Sequence, residues 1–333
     1  MPAPDLLDSI DRALDRRTDL LVRLADEDTD CCRLFHGVVE GEPGLAIDRY
    51  GPLLLLQTWR EPLGHDEAER LGAHVAARLG IAPVIAANHR GAGAGFGPHE
   101  PGEAALQPHV CREAGLRFNV RARHRGADPW LFLDLRAGRA ALRRLAAGRS
   151  VLNLFAYTCS AGVAALAGGA VQVTNVDFAQ SALAVGADNL ALNDQQGRAE
   201  LLQADCLAVL RQLAGQPVQR RGRHRSFPKV EPRPFDAVFL DPPRWARGPF
   251  GAVDVVRDYA SLFKPSLLTL APDGVVVATN HVPEVAADDW CEALRRCAAK
   301  AGRPLRDLEL VRPDDDFPTF DGQPPLKIAI CRT

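Results

Sequence analysis

No part of this 333-residue chain approaches the roughly 18 uninterrupted apolar residues that cross a bilayer, so no membrane span is expected. Met1 to Arg17 alternates acidic and basic residues without an apolar segment, which excludes a signal peptide there. The eight cysteines include no Cys-x-x-Cys pair, and neither Cys291 nor Cys297 has a histidine at zinc spacing. Reduced thiols, a cytoplasmic location and no metal follow as expectations. There are no repeats of solenoid period. No Gly-x-Gly-x-x-Gly occurs, and the glycine-rich stretch from His89 to Gly102 lacks the lysine and hydroxyl residue of a phosphate loop.

What is present is a 47% hydrophobic chain, long enough for two domains. The net charge of −2 says nothing for nucleic acid, but its distribution does. Arg117 to Arg149 holds Arg121, Arg123, Arg125, Arg136, Arg139, Arg143 and Arg144 against only Asp128 and Asp134. Arg211 to Arg233 holds Arg220, Arg221, Arg223, Arg225 and Lys229. Guanidinium forks suit phosphates, although solvated charged faces read the same way. The second stretch falls between the helix after Asp205 and the strand at Asp236. An Arg- and Pro-rich insertion over 215–234, at the amino edge of a sheet, is expected there.

The most informative segment is Asp236-Ala-Val-Phe-Leu-Asp-Pro-Pro243. A buried strand delivers Asp241 onto Pro242 and Pro243, which donate no N–H and hold the chain extended. The neighbouring carbonyls and the carboxylate can then accept from an amino group on a flat base, although a plain loop would use the same residues. Upstream, Val151-Leu-Asn-Leu-Phe-Ala-Tyr-Thr-Cys-Ser-Ala-Gly162 reads as strand, small-residue turn and helix. Such a turn brings backbone N–H groups and a helix N-terminus to a bound nucleoside. The next strand ends at Asp177, about twenty residues on, where a carboxylate can accept both ribose hydroxyls, and Phe178 can pack on a purine. A third strand ends at Asp205-Cys206, where Asp205 can accept an adenine amino group. Helix capping is the alternative for each acid. Three acids at the ends of successive strands form a more specific pattern.

Asn153-Leu-Phe-Ala-Tyr-Thr158, Val176-Asp177, Gln203-Ala-Asp-Cys-Leu207 and Asp241-Pro-Pro243 together resemble class I S-adenosylmethionine-dependent methyltransferases. The closer resemblance is to bacterial 23S rRNA large-subunit base methyltransferases. Phe132-Leu-Asp-Leu-Arg136 with Arg139, Pro43 to Tyr50 and Pro325 to Cys331 agree, so the likeness spans roughly 33–332. It implies S-adenosylmethionine held by Arg136, Asn153, Phe155, Tyr157, Thr158, Cys159, Ser160, Asp177, Phe178, Asp205, Cys206 and Asp241. It implies chemistry at Asp241, Pro242, Pro243 and Asn280, substrate contacts from Arg244, Trp245 and His281, and 23S rRNA as partner. Trp245, beside Asp241-Pro-Pro243, is the favoured residue for stacking on the target base, with a core anchor under that loop as the alternative. Two departures stand out. Cys159 replaces the glycine usual after Tyr-Thr and is expected to narrow the space beside the methionine moiety. About thirty residues precede the likeness, too few for the small RNA-binding domain that the family often carries in front.

Cytosine C5 methylation needs a cysteine that attacks the ring. The resembling C5 enzymes carry it just after the strand reading Val277-Ala-Thr-Asn-His281, where this chain has none. The family branch with asparagine where this chain has Asn280 methylates guanine N7, and its relatives use Asp-Pro-Pro turns for exocyclic nitrogen, so the resemblance implies a ring or exocyclic nitrogen of guanine as the favoured acceptor. A cytosine C5, a small molecule or a protein side chain are the alternatives.

The expected architecture is α/β. A Rossmann-like, doubly wound, mostly parallel seven-stranded sheet occupies 126–333, with a smaller N-terminal α+β domain over 33–125 and a helical extension over 1–32. Expected elements include one amphipathic helix over 1–30, a hairpin over 33–58, a helix from Gly64 to Leu79, and strands at Ile81 to Ala87, Leu116 to Val120 and Trp130 to Leu133. Strands at Leu308 to Val311 and Leu326 to Cys331 should pair antiparallel.

Overall fold

A computed structural model describes residues 6–91, 95–124, 128–218, 228–248 and 251–333, with backbone alone at 245–248 and 251–253. The chain divides into two units, Met1–Leu133 with Asp314–Gly322, and Asp134–Pro313 with Gln323–Thr333. Residues 219–227, the arginine-rich centre of the expected insertion, lie outside the described residues, as does Arg125.

The first unit runs α1 (Leu6–Arg16), α2 (Thr18–Asp26), β1 (Cys31–His36), α3 (Gly37–Glu40), β2 (Leu45–Tyr50), β3 (Leu53–Thr58), α4 (His65–Leu79), β4 (Val84–His89), α5 (Glu103–Leu106), β5 (His109–Glu113) and β6 (Leu116–Val120). The single helix expected at the N-terminus is two, broken at Arg17. The Arg17 guanidinium is buried, donating to Ala13 O and Arg33 O and pairing with Glu40. A buried cation is tolerated only when paired in this way, and the break turns both apolar faces inward. Ile10, Ala13 and Leu14 from α1 and Leu20 and Leu24 from α2 join one core with Phe35, Ile47, Leu54 and Leu71.

The hairpin expected over 33–58 is a meander of three strands, extended by β4 in the order β1-β2-β3-β4, with only β3 and β4 parallel. All six residues of β3 are buried, as its continuous apolar run demands. The strand expected from Ile81 starts at Val84, after Pro83, which has no N–H for a ladder. Trp130 to Leu133, read as a strand, is irregular, because Trp130 sits at φ +74°, outside the extended region.

The second unit runs α6 (Arg136–Leu145), β7 (Ser150–Leu154), α7 (Ser160–Ala167), β8 (Gln172–Asp177), α8 (Gln180–Leu192), β9 (Ala199–Gln203), α9 (Cys206–Leu213), β10 (Phe235–Leu240), β11 (Trp245–Gly248), β12 (Gly251–Asp254), α10 (Ala260–Leu268), β13 (Leu270–Asn280), α11 (Ala287–Lys300), β14 (Asp307–Val311) and β15 (Lys327–Arg332). Its main sheet has seven strands in the order β14-β15-β13-β10-β7-β8-β9. The five from β13 to β9 are parallel. β15 pairs antiparallel with β13 and β14, as expected for the last two strands.

Leu152, Leu154, Val238, Leu240, Val276 and Ala278 cover one face of this sheet and pack with Leu210, Phe263 and Leu294 of α9, α10 and α11. The helices α6, α7 and α8 contact the strands on the other side. Chain order runs outward from β7 to β9, then returns through β10 to β13. The carboxyl ends of β7 and β10 therefore flank the reversal point, where open α/β sheets leave a crevice. No helix among the described residues is long and apolar enough to cross a membrane.

Candidate active site

Between β7 and α7 the chain makes a turn that three non-glycine residues enter with positive φ: Phe155 at +56°, Tyr157 at +49° and Cys159 at +61°. Such conformations cost about 1–2 kcal/mol each and persist only where surroundings enforce them. Here the end of β8 and the following helices do so. Ala156 N donates to Val176 O at 2.9 Å. Tyr157 N donates to Asp177 Oδ2 at 2.9 Å, and Asn189 Nδ2 donates to Thr158 O at 2.9 Å. Phe155 N donates to Cys206 Sγ at 3.2 Å, while the same thiol donates to Val176 O at 3.4 Å. Cys206 thus ties the turn to β8, and burial pushes its thiol pKa well up, so it stays protonated for that work.

Cys159 corrects the expectation attached to it. Its side chain is fully buried, in a cluster with Ala156 and Leu183, and its thiol faces Gly186 of α8. The sulfur packs under the turn, against Gly186, Ala156 and Leu183. Asn153 is also placed beneath the turn. Its Nδ2 donates to Asn175 Oδ1 at 2.8 Å, and Gly162 of α7 approaches that oxygen closely enough to exclude any Cβ. Ser160 opens α7.

Asp177 ends β8 with little exposure. Oδ1 accepts from Ala179 N at 2.8 Å and Oδ2 accepts from Tyr157 N. The backbone N–H of Phe178 also bonds this carboxylate, so of the about four lone-pair sites on its two oxygens one remains for a hydroxyl donor. Burial raises the Asp177 pKa and outweighs these N–H groups. Phe178 beside it is 59% exposed, an apolar ring with one face to solvent. Asp205 is the N-cap of α9, its Oδ1 accepting from Leu207 N at 2.9 Å and Ala208 N at 3.2 Å. Its capping duty is thus real, and it occupies one oxygen.

At the end of β10, Asp241 accepts from Thr279 Oγ1 and from His281 Nε2, the latter at 2.7 Å. Both bonds fall on Oδ1, and among the described residues Oδ2 takes none. Burial pushes the Asp241 pKa up, but the charge and hydrogen bond of His281, the Thr279 hydroxyl and Arg139 bring it below the ordinary value. Burial alone would lower the His281 pKa, yet Asp241, with Asp134 behind it, raises it. The pair therefore shares an ionised carboxylate and a stabilised imidazolium.

Alternation along β13 puts Thr279 and His281 on one face and Asn280 on the other. Asn280, expected among the reacting groups, thus does not join Asp241. Its Oδ1 accepts from Val282 N at 2.9 Å, and its Nδ2 is buried with no partner. Pro242 is buried and Pro243 exposed. Arg244 forms an exposed ion pair with Glu284 at 2.9 Å, of little energetic weight. Trp245 opens β11, and its side chain lies outside the described residues. Arg136 is buried at the start of α6, one turn from buried Arg139.

Thr279 and Lys327 are the residues that sequence reasoning missed. Lys327 is buried and donates to Val282 O at 2.7 Å and Pro325 O at 2.9 Å, bracing the chain just past His281. The period-two pattern Val277-x-Thr279-x-His281 carried the signal for Thr279. Nothing local marked Lys327, which arrives from β15.

A family model for S-adenosylmethionine-dependent methyltransferases matches residues 33–332. The chain belongs to that family. A Deinococcus radiodurans protein named "Ribosomal RNA large subunit methyltransferase" is 31% identical over 307 residues, 90% of this chain and 71% of that one. A Shewanella denitrificans protein named "Ribosomal RNA large subunit methyltransferase I" is 26% identical, covering 95% of this chain and 76% of its own. Among solved structures, the SMU.776 protein, complexed with SAH, superposes with a TM-score of 0.79 over 98% of this chain and 80% of that one. At 22% identity the likeness is one of fold. This methyltransferase uses S-adenosylmethionine, and its carboxyl edge fits that group. Asp177 keeps an acceptor site for a hydroxyl, Phe178 offers an exposed ring, and the turn is fixed by hydrogen bonds to β8, Asn189 and Cys206.

Among the described residues one other group, His65, Glu69 and His99, gathers potential metal-ligating atoms, all within 4.8 Å of one another. Its hydrogen bonds argue against an ion. His99 Nδ1 accepts from Ala87 N at 3.1 Å, so the ring proton is on Nε2, which faces Glu69 Oε1 at 2.9 Å and offers no lone pair.

Proposed function

We propose that this methyltransferase modifies a nitrogen of guanine in 23S ribosomal RNA, in the cytoplasm. Asp241 carries the reading. It is an ionised carboxylate at the carboxyl end of β10, with Oδ1 filled by Thr279 and His281 and Oδ2 taking no hydrogen bond among the described residues. Bound S-adenosylmethionine supplies an electrophilic methyl group on a sulfonium. The protein's work is then alignment and exclusion of water. Asp177 and Phe178 hold the nucleoside end, with Asp205 and the turn from Phe155 to Ser160 beside them. Asp241 Oδ2 accepts an N–H of the base and aligns the acceptor nitrogen; where the methyl group goes to that N–H nitrogen, the proton it releases passes to Asp241 and on to solvent. His281 keeps that carboxylate ionised and oriented, and Thr279 locks its rotamer. The relatives named above as ribosomal RNA methyltransferases supply the substrate class, and Arg244 and Trp245, which follow Asp241-Pro-Pro243 in the chain, are the proposed substrate contacts.

The thiols speak against the cytosine C5 reading. Seven of the eight are buried, and burial raises the pKa of Cys297, the exception, which lies in α11. Cys159 and Cys206 are held protonated by burial, and only a thiolate attacks a pyrimidine ring.

The test is transfer from tritium-labelled S-adenosylmethionine to unmodified 23S rRNA, measured across a salt series. Label should enter the RNA, and its rate at subsaturating RNA should fall steeply as salt displaces phosphate contacts. Equal labelling with and without RNA would favour a small molecule or a protein side chain instead.

A further inference from the structure

We infer that the end of the four-stranded sheet in the first unit, where β3 and β4 finish, is a contact surface for single-stranded RNA. Thr58 and His89 close these parallel strands side by side, and Thr58 Oγ1 meets His89 Nδ1 at 2.9 Å. The chain beyond each strand stays together past that point. Arg90 N donates to Thr58 O at 2.7 Å, and a Cβ added at Gly91 would stand 2.4 Å from Trp59 O. His89 N donates to Phe96 O at 3.1 Å, and Gly97 lies against the side chains of His89 and Pro62. Trp59, Arg60, Arg90 and Phe96 thus belong to one rim.

Two features of this rim point to a ligand. The first is aromatic surface in water: Trp59 is 44% exposed and Phe96 is 37% exposed. The second is an uncompensated charge. Arg123 reaches the rim from the segment after β6. Its Nε donates to Asn88 Oδ1 at 3.0 Å, and its Nη2 donates to Ala87 O and His99 O, both at 2.8 Å. The Phe96 ring covers the guanidinium, 4.9 Å from centroid to carbon. These bonds seal the outer edge of β4, yet every acceptor in them is neutral. Among the described residues no carboxylate pairs with Arg123, and Nη1 meets no acceptor while staying open to solvent. Burial lowers the Arg123 pKa, with no acid to offset it. A partly buried cation ordinarily has a counter-charge, and a guanidinium fixed at one end with its other nitrogen open is arranged for an oxygen anion.

The rest of the rim has the same sign. Arg60 is exposed and makes no ion pair among the described residues, its stem resting against Gly44. Glu61 is the one acid among the described residues of 59–62 and 89–97. Fixed cations beside exposed rings are what a single strand requires: phosphates meet the guanidinium groups, and unpaired bases stack on the rings. A duplex keeps its bases stacked on one another and leaves Trp59 and Phe96 without a partner. An acidic protein would answer the arginines and leave both rings in water. The choice of RNA rests on the function proposed above. The open guanidinium and the exposed rings do not.

The experiment follows the fluorescence anisotropy of a fluorescein-labelled, unstructured RNA of about 12 nucleotides, single-stranded and annealed to its complement. The full chain should bind the single strand more tightly than the duplex. Trp59→Ala should weaken single-strand binding about tenfold. Arg60→Gln should reduce the slope of log affinity against log salt by about 0.7. Arg123 also seals the edge of β4, so its own substitution reads folding as well as binding. Gly95→Glu avoids this, placing a carboxylate next to Phe96 where a Cβ meets nothing within 4 Å. It should weaken binding more than Gly95→Gln does. S-adenosylmethionine affinity should be unchanged in all of these variants. Single-strand binding unaltered in Trp59→Ala and Gly95→Glu, or tighter binding of the duplex, would overturn the surface; methyl transfer to 23S rRNA in the same preparations would leave the proposed function standing. Variants that lose RNA binding, beside a wild type that transfers no methyl group to RNA, would keep the surface and remove that function. A wild type that binds no RNA would overturn both.

Discussion

The thiol of Cys159 and the α-carbon of Gly186 are packed against one another. A Cβ at position 186 would stand 2.5 Å from Cys159 Sγ and 3.1 Å from its Cβ. The turn can hold a side chain at 159 because helix α8 gives one up at 186. Gly186→Ala should therefore destabilise the second unit by about 1–3 kcal/mol, the usual result of overpacking. Cys159→Gly in the same chain should restore most of the loss, as read from urea unfolding midpoints. Cys159→Gly alone should leave cofactor affinity within about twofold, since the sulfur faces α8. A purely additive double mutant would break the pairing.

Asp177→Ala should weaken S-adenosylmethionine binding by about tenfold or more, because one charged hydrogen-bonding group contributes roughly 1.5–3 kcal/mol. The pKa of this carboxyl is raised by burial, so the wild-type affinity should fall as pH drops through that raised value. Calorimetry across a pH series reads both effects. Affinity unchanged in the variant removes Asp177 from the site.

His281→Gln should cost about 1.5–3 kcal/mol of stability where the pair is charged on both sides. The sign of its pH dependence follows from the two shifts. The His281 pKa is raised, so its contribution is fully present below the ordinary 6.5 and is lost as pH rises through the raised value. The Asp241 pKa is lowered, so its contribution is present above the ordinary 3.8 and is lost as pH falls through the lowered value. The difference between wild type and variant should be largest between those limits and shrink towards alkaline pH. A difference that grows with pH would reverse the assignment.

Cys206→Ala should destabilise the turn by about 1–3 kcal/mol, since the Phe155 N–H loses its acceptor in a buried place. Native-state alkylation followed by peptide mass spectrometry should find Cys297 modified first and Cys159 and Cys206 protected. Rapid modification of either would mean an exposed thiolate and would revive a covalent mechanism.

Much of the second unit was legible because its strands carry buried apolar runs that end on acids. Asp177 and Asp241 stand at strand tips as that pattern requires, and the order of the motifs traces the doubly wound path. What was hidden depended on partners distant in sequence. The break at Arg17 is stabilised by Glu40 and a carbonyl of β1, and Trp130 leaves the extended region despite its apolar neighbours. Asn280 and His281 are adjacent in sequence, yet strand alternation sends them to opposite faces. The benign fit of Cys159 depended on a glycine in another helix, which no local pattern around 159 displays.

The most direct measurement is nucleoside analysis of 23S rRNA labelled by the purified enzyme from methyl-tritiated S-adenosylmethionine, with wild type and Asp241→Asn compared. The account predicts label in a guanine nucleoside methylated on nitrogen, reduced at least about a hundredfold in the variant. Label in 5-methylcytidine, or full activity in Asp241→Asn, would contradict it.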